Sequence, residues 1–114
     1  MKKLILLFAL IVSSCSSFKS GLTIPANETF ILGESNSKNY SAELLNISNY
    51  EVKIRGEKKK NGEYTQVFTL PPKVKVNVYV SSDEIIKFIN ENNQAVKVNV
   101  KLNKEVPGMR YIKN

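Results

Sequence analysis

The sequence contains no histidine, no tryptophan, one cysteine and one aspartate, and these absences exclude several classes of function. Without histidine, the commonest general base and the commonest transition-metal ligand are missing, so serine triads and cysteine–histidine pairs cannot form in their usual arrangements. A single cysteine allows no intramolecular disulfide, so stability must come from apolar burial and strand pairing. No glycine-rich phosphate loop is present either, and the sequence predicts neither a cofactor nor a metal site.

The N-terminal residues have the organisation of a secretory signal peptide. Lys2 and Lys3 precede an apolar run over Leu4–Val12, and the small residues Ser13 and Ser14 follow it. A positive start, a short apolar stretch and a small-residue exit are the three parts of such a peptide. The run is too short for a transmembrane helix, which needs about 20 apolar residues.

The only cysteine stands directly after this exit. The segment Val12-Ser13-Ser14-Cys15 resembles the lipobox of bacterial lipoproteins. The resemblance implies cleavage before Cys15, a lipid on its sulfur and attachment to a membrane outside the cytoplasm. Because Ser16 is not aspartate, the same resemblance favours the outer membrane, facing the periplasm, if the source is diderm. The alternative is an ordinary signal peptide cut near Ser13 or Ser14, which would release a protein with a free thiol.

We divide the chain into three parts. Residues 1–14 are the signal peptide, 15–27 are the lipidated cysteine and a tether, and 28–114 are one domain. Ser, Gly and Pro in 16–27 are typical of a tether, although Leu22 and Ile24 alternate with polar residues and a short first strand could begin there. The formal charge of +7 is spread along the chain.

Beyond residue 27 the pattern is that of short strands. Residues 74–80 and 96–102 carry apolar side chains at every second position, which is typical of antiparallel strands with one face in water. Asn61-Gly62 between two apolar runs predicts a hairpin with a type I′ turn. Residues 84–90 fit both a strand and a short helix, and we favour a strand because of the spacing of its neighbours. The tail 105–114 is predicted to add an edge segment or to stay loose.

About seven short strands predict a small antiparallel β-sandwich of immunoglobulin-like character, with a small barrel as the alternative topology. Alternate polar residues should point outward from two of these strands. We interpret the outward lysines as protection of the sheet edges against pairing with other chains. The predicted outward set is Lys73, Lys75, Asn77, Tyr79, Lys97, Asn99, Lys101 and Asn103.

The densest basic cluster lies around the predicted hairpin. Arg55, Lys58, Lys59 and Lys60 could contact anionic lipid head groups or acidic polymers, since each basic residue near an anionic surface contributes about 1 kcal/mol. The alternative is a solvated hairpin tip. Tyr79, predicted to point outward among lysines, is the best candidate for a binding aromatic, because tyrosine provides rigid area with a polar tip.

Asp83-Glu84 is the adjacent acidic pair of the chain. It could form a weak calcium site or an acid–base couple, or it could be a solvated turn. Distant carboxylate pairs such as Glu43 and Glu91 are further candidates, but nothing in the pattern distinguishes them.

These features predict a membrane-anchored, non-catalytic lipoprotein of the cell envelope. We expect it to act as an accessory module that binds a protein partner by edge pairing or through its exposed sheet. The alternative is a module that binds a small ligand or an anionic envelope polymer through the basic hairpin. We expect no nucleic-acid partner and no enzymatic activity.

Overall fold

Residues 18–114 are described by a computed structural model, and of Phe18 only the backbone is described. This part of the chain is all-β. It forms nine strands, which are β1 Phe18–Ile24, β2 Glu28–Leu32, β3 Tyr40–Asn46, β4 Val52–Lys58, β5 Tyr64–Leu70, β6 Lys75–Val80, β7 Glu84–Ile89, β8 Val96–Leu102 and β9 Met109–Lys113. Within these residues no helix could cross a bilayer.

The strands form two antiparallel sheets that pack face to face. One sheet has the order β1-β8-β3-β6 and the other has the order β5-β4-β7-β2-β9. The sequence correctly predicted the all-β class and the strands that form β6 and β8, whereas β1 lies in the predicted tether and β9 lies in the tail. It also correctly favoured a strand over a helix for the segment that forms β7.

The predicted seven-strand, immunoglobulin-like arrangement is not confirmed. The strands pair as β1 with β8, β2 with β7, β3 with β6 and β4 with β5. These nested pairs describe one long hairpin that is wrapped into two sheets, which is the topology of a jelly roll. Strand count and spacing could not reveal this order, because successive strands mostly switch sheets and only β4 and β5 are neighbours in both sequence and space.

The β4–β5 hairpin is present at Asn61-Gly62, but its turn type differs from the prediction. Gly62 has a φ of 73°, whereas Asn61 is not among the described non-glycine residues with positive φ. Lys58 donates its N–H to the carbonyl of Glu63 at 2.9 Å, and the Gly62 N–H reaches the carbonyl of Lys58 at 2.8 Å. The loop therefore spans four residues and needs the left-handed conformation only at its last position, unlike a two-residue type I′ turn.

Residues 18–24 belong to the first sheet rather than to a tether alone. The whole of β1 pairs with β8, from Phe18 opposite Leu102 to Ile24 opposite Val96. The side chains of Leu22 and Ile24 are buried in the core. The folded domain thus begins close to Cys15.

The space between the sheets is filled by apolar side chains that alternate along the strands. Ile24, Leu44, Ile54, Leu70 and Phe88 are completely buried. The period-two pattern of β8 predicted its contribution correctly, and all four of its apolar residues are buried. Val74 is the exception to the predicted inward set, since it precedes β6 and is 38% exposed.

Candidate functional site

In the described residues the interior is polar at both ends, since Asn46 and Asn90 are completely buried at one end and Glu84 lies at the other. Glu84, at the start of β7, is 6% exposed and points inward, opposite Lys58 of β4. Its carboxylate accepts hydrogen bonds from the Ser81 N–H at 2.9 Å, from Gln66 Nε2 at 3.3 Å and from the Thr65 hydroxyl. A single carboxylate that is bonded on both oxygens by the protein's own donors has a structural role, since it joins the hairpin to the turn before β7.

Two further groups define this end of the interior. Tyr40 is 3% exposed, and among residues 18–114 its hydroxyl has no hydrogen-bond partner. Burial, together with the negative charge of Glu84, raises the pKa of the Tyr40 phenol well above its usual range. A Cβ atom on Gly56 would come within 2.6 Å of the Glu84 Oε2 atom, so the glycine leaves room for this carboxylate.

The acidic pair Asp83-Glu84 is therefore divided between two environments. Asp83 is exposed, and the hydroxyl of Ser81 donates to it at 2.7 Å, which lowers the pKa of the Asp83 carboxyl. Glu84 is buried instead of lying in the solvated turn that we considered. No group of three or more Cys, Asp or Glu residues in the described range is arranged to hold a metal ion. Glu43 and Glu91, the distant carboxylates, each form a salt bridge with a lysine, Lys75 and Lys53 respectively.

The predicted basic hairpin does not form one free cationic surface. Arg55 donates to Glu57 at 2.8 Å and stacks over the ring of Tyr64 at 4.6 Å. The ammonium of Lys59 donates to the backbone carbonyl of Asn36, and Lys58 is half-buried. Lys60 is exposed at the tip.

The outer face of the β5-β4-β7-β2-β9 sheet is likewise neutralised. Lys87 and Arg55 share the carboxylate of Glu57, with Lys87 Nζ at 3.2 Å. Across the same sheet, Arg110 binds Glu34 through two hydrogen bonds of 2.7 and 2.9 Å, and this contact lowers the pKa of the Glu34 carboxyl. Arg55, Lys87 and Arg110 on this face are therefore already matched by carboxylates.

The outer face of the β1-β8-β3-β6 sheet has a different charge balance. Lys19 of β1, Lys97 and Lys101 of β8 and Lys75 of β6 are all exposed on it, and we call this surface the basic face. Glu43 of β3 is the acidic residue among them, and it lies 3.5 Å from the Lys75 ammonium. Within residues 18–114 the other three lysines form no salt bridge.

The geometry of the basic face follows from strand register. Lys19 lies directly opposite Lys101, and Lys97 lies opposite Thr23 further along the same two strands. Between these rows, Gly21 has no side chain and faces Asn99. The result is an open hollow of about 510 Å³, which is lined by Lys19, Ser20, Gly21, Glu43, Leu45, Lys75, Asn99, Val100 and Lys101.

Tyr79 extends the basic face at one corner. It pairs with Ser41 across β3 and β6, and it is 80% exposed. The sequence correctly predicted that Tyr79, Lys75, Lys97 and Lys101 point outward. It did not reveal that β6 and β8 flank the same strand, β3, so that their outward residues share one surface. Lys19 was missed because its strand was assigned to the tether.

A second hollow lies between the edge strands β1 and β9. It has a volume of about 280 Å³ and is lined mainly by apolar residues, including Leu22, Phe30 and Met109. The Tyr111 hydroxyl donates to the carbonyl of Thr23 at 2.8 Å across this side and joins the two sheets. Few polar groups are available there to orient a ligand.

Cys15, the predicted lipidation site, lies outside the described residues. The remaining predicted site residues are all placed by the structure. The structure places the hairpin lysines and Tyr79 apart, since Tyr79 belongs to the basic face and the hairpin belongs to the other sheet.

Comparison with known proteins gives the fold and no family. No family model matches the chain, and no curated protein is significantly similar to it. Among solved structures, the cupin domain of a transcriptional regulator from Enterobacter cloacae has a TM-score of 0.53 at 15% identity, covering 82% of this chain and 86% of that one. Peruvianin-I, a cysteine peptidase from Thevetia peruviana latex, has a TM-score of 0.59 at 11% identity, covering 86% of this chain and 56% of its own.

The oxalate decarboxylase of Bacillus subtilis, which contains Mn(II) centres, has a TM-score of 0.60 at 9% identity, covering 87% of this chain and 24% of that chain. This chain thus spans about half or less of the length of two of these three proteins. Such different proteins share the fold, so the likeness carries no function. A metal centre inside the sandwich would need ligands on inward-facing positions. In the described residues those positions hold apolar side chains, Asn46 and Asn90, whose amides bond backbone carbonyls, and the single carboxylate of Glu84. The residues present therefore do not fit a bound metal, and the comparisons establish a cupin-type jelly roll alone.

Proposed function

We propose that the protein is a lipid-anchored, non-catalytic module of the cell envelope that acts by binding. The observation that supports this proposal is the contrast between the filled interior and the exposed basic face. The interior is filled by apolar side chains, and its two polar ends are occupied by the protein's own hydrogen bonds. The basic face is open, contains the shallow hollow beside Lys19 and Lys101, and is only partly neutralised. Chemistry would need a cavity with free polar groups, whereas binding needs an exposed surface of this kind.

The anchor rests on the lipobox-like segment that ends at Cys15. Metabolic labelling with a tagged fatty acid should mark the wild-type protein and miss the Cys15→Ser variant. A Ser14→Ala variant, which keeps a small residue before the cysteine, is the matched control and should still be labelled. Equal labelling of wild type and Cys15→Ser would reject the anchor.

The binding partner is proposed to be a protein of the envelope, in contact with an exposed sheet face. Site-directed photocrosslinking in intact cells tests this, with the reactive residue at Asn77 on the basic face or at Thr69 on the outer face of the other sheet. We expect a discrete protein adduct from one position and not from the other. Absence of any protein adduct from both positions would contradict a protein partner.

The second candidate function is binding to anionic envelope material. The charge of the basic face favours this function. The residues that bind the anionic material would be Lys19, Lys97 and Lys101, rather than the hairpin lysines that the sequence suggested. Salt-sensitive retention on isolated envelopes should fall when these three lysines are changed to glutamate. It should persist when the hairpin residue Lys60 is changed in the same way.

A further inference from the structure

We infer that the basic face lies on the anionic phospholipid head groups of the membrane to which the protein is anchored. This inference rests on the proposed lipid anchor and adds an orientation and a ligand class to it. It begins from the distance between the anchor and the sheet. Cys15 and Phe18, the first residue of β1, are three positions apart. Three residues span at most about 10 Å even when fully extended.

A short connection of this kind prevents the domain from standing away from the bilayer. The sequence placed a tether over 15–27, which would have allowed a stand-off of several nanometres. Because β1 begins at Phe18 and pairs with β8 from there on, the N-terminal end of β1 must stay close to the head groups. Lys19 and Lys101 stand side by side at that end, so an anchored domain brings them to the membrane surface.

The charge distribution then selects which side of the sandwich faces the lipid. Attraction between lysines and an anionic surface acts within about 8 Å at physiological salt. Among residues 18–114, Lys75 is the lysine of the basic face that forms a salt bridge, to Glu43, which also lies opposite Lys101. On the outer face of the other sheet, Lys53, Arg55, Lys87 and Arg110 all form salt bridges. Turning the basic face to the membrane gives its unmatched lysines counter-ions without breaking an existing pair.

The register adds a second argument. Lys19 and Lys101 are directly opposite on adjacent strands, and like charges in this position are unfavourable for the sheet. Phosphate groups bound in the hollow beside them would relieve this repulsion. Tyr79, exposed at the corner of the same face, has the amphipathic character that favours the level of the head groups.

The test uses the fragment 16–114, which lacks the anchor and retains all nine strands and the core. Sedimentation with vesicles of equal parts phosphatidylcholine and phosphatidylglycerol should show binding at about 0.1 M salt, and little at about 1 M, where screening shortens to about 3 Å. Vesicles of phosphatidylcholine alone should not bind. Changing Lys19, Lys97 and Lys101 to glutamate should weaken binding about a hundred-fold or more.

A matched control separates the face from the net charge. Lys38, Lys60 and Lys113 are exposed and lie off the basic face, and changing all three to glutamate alters the net charge by the same amount. We expect this control to bind anionic vesicles much more tightly than the basic-face variant. Equal losses in the two variants would overturn the inference, as would wild-type binding to soluble polyphosphate without binding to the vesicles.

The outcomes also separate this inference from the proposed function. Fatty-acid labelling of Cys15 combined with no binding to anionic vesicles would keep the anchored module and reject the orientation. Binding through the basic face without labelling of Cys15 would reject the anchor and leave a surface that binds anionic lipid. The labelling experiment uses Cys15→Ser and Ser14→Ala, and the vesicle experiment uses the two sets of lysine variants, so each result is obtained independently of the other.

Discussion

Glu84 shows how one residue can be mistaken for a solvated or catalytic group when only its neighbours in sequence are known. It follows Asp83 and two serines, which resemble an exposed turn, but its side chain points into the sandwich. There it accepts bonds from donors on both β5 and the turn before β7. Alternation alone assigns a face to a residue inside a strand, but not to the first residue after a turn.

Replacing Glu84 with alanine should destabilise the fold. The change leaves the donors of Thr65, Gln66 and Ser81 without this charged acceptor, and a hydrogen bond to a charged group contributes about 1.5–3 kcal/mol. Urea unfolding should therefore show a loss of at least about 1 kcal/mol. Asp83→Ala is the control, since that exposed carboxylate makes one side-chain contact, to Ser81, and the loss there should be much smaller. Equal losses would contradict the structural role of Glu84.

Tyr40 carries a buried polar group that, unlike the Glu84 carboxylate, forms no hydrogen bond in the described residues. Its hydroxyl is buried without a partner in the described part of the chain, so Tyr40→Phe removes an unpaired group and nothing else. Thermal unfolding should show the variant to be as stable as wild type or more stable, by up to about 1 kcal/mol. The same change at Tyr111 is the control. It removes the hydrogen bond to Thr23 and should lower stability by about 0.5–1.5 kcal/mol.

At the scale of the element, the opposed lysines of β1 and β8 couple stability to binding. Lys101 lies between Lys19 on one side and Glu43 on the other. Lys19→Glu replaces a like-charge pair with an opposite-charge pair and should stabilise the domain by about 0.2–1 kcal/mol. The same substitution should weaken binding to anionic vesicles. Thermal unfolding and vesicle sedimentation of one variant measure both effects, and a variant that is less stable than wild type would contradict the cross-strand repulsion.

The elements themselves were largely predictable, whereas their partners were not. The alternation of β6 and β8 identified inward and outward residues, because a strand repeats every two positions whatever it pairs with. The hairpin between β4 and β5 was predicted correctly because these strands are neighbours in both sequence and space, so the local Asn61-Gly62 pattern was sufficient to identify it. The pairing of β3 with both β6 and β8 depends on contacts between distant segments, and no local pattern carries that information. The basic face depends on this pairing, so the sequence alone did not predict it.

At the scale of the whole molecule, nested pairing makes the first strand essential. β1 is the outermost partner of the long hairpin and covers one edge of β8 along seven residues. It also contributes Leu22 and Ile24 to the core. A domain that began at residue 28, where the composition changes, would lack this strand and expose the edge of β8. Exposed edges of this kind promote pairing with other chains.

The fragments 16–114 and 28–114 should therefore differ sharply. Burial of Leu22 and Ile24 contributes about 1.5–3 kcal/mol for each side chain. A typical domain is stable by only about 5–15 kcal/mol, so losing these side chains and the β1–β8 ladder removes much of the free energy of unfolding. We expect 16–114 to unfold cooperatively in urea, and 28–114 to show no cooperative transition and to aggregate. The double variant Leu22→Ala, Ile24→Ala in 16–114 is the control, since it keeps the backbone ladder, and it should unfold cooperatively at a lower midpoint. A fragment 28–114 as stable as 16–114 would show that β1 contributes little to the fold, and the short connection between anchor and sheet would then no longer hold the domain against the membrane.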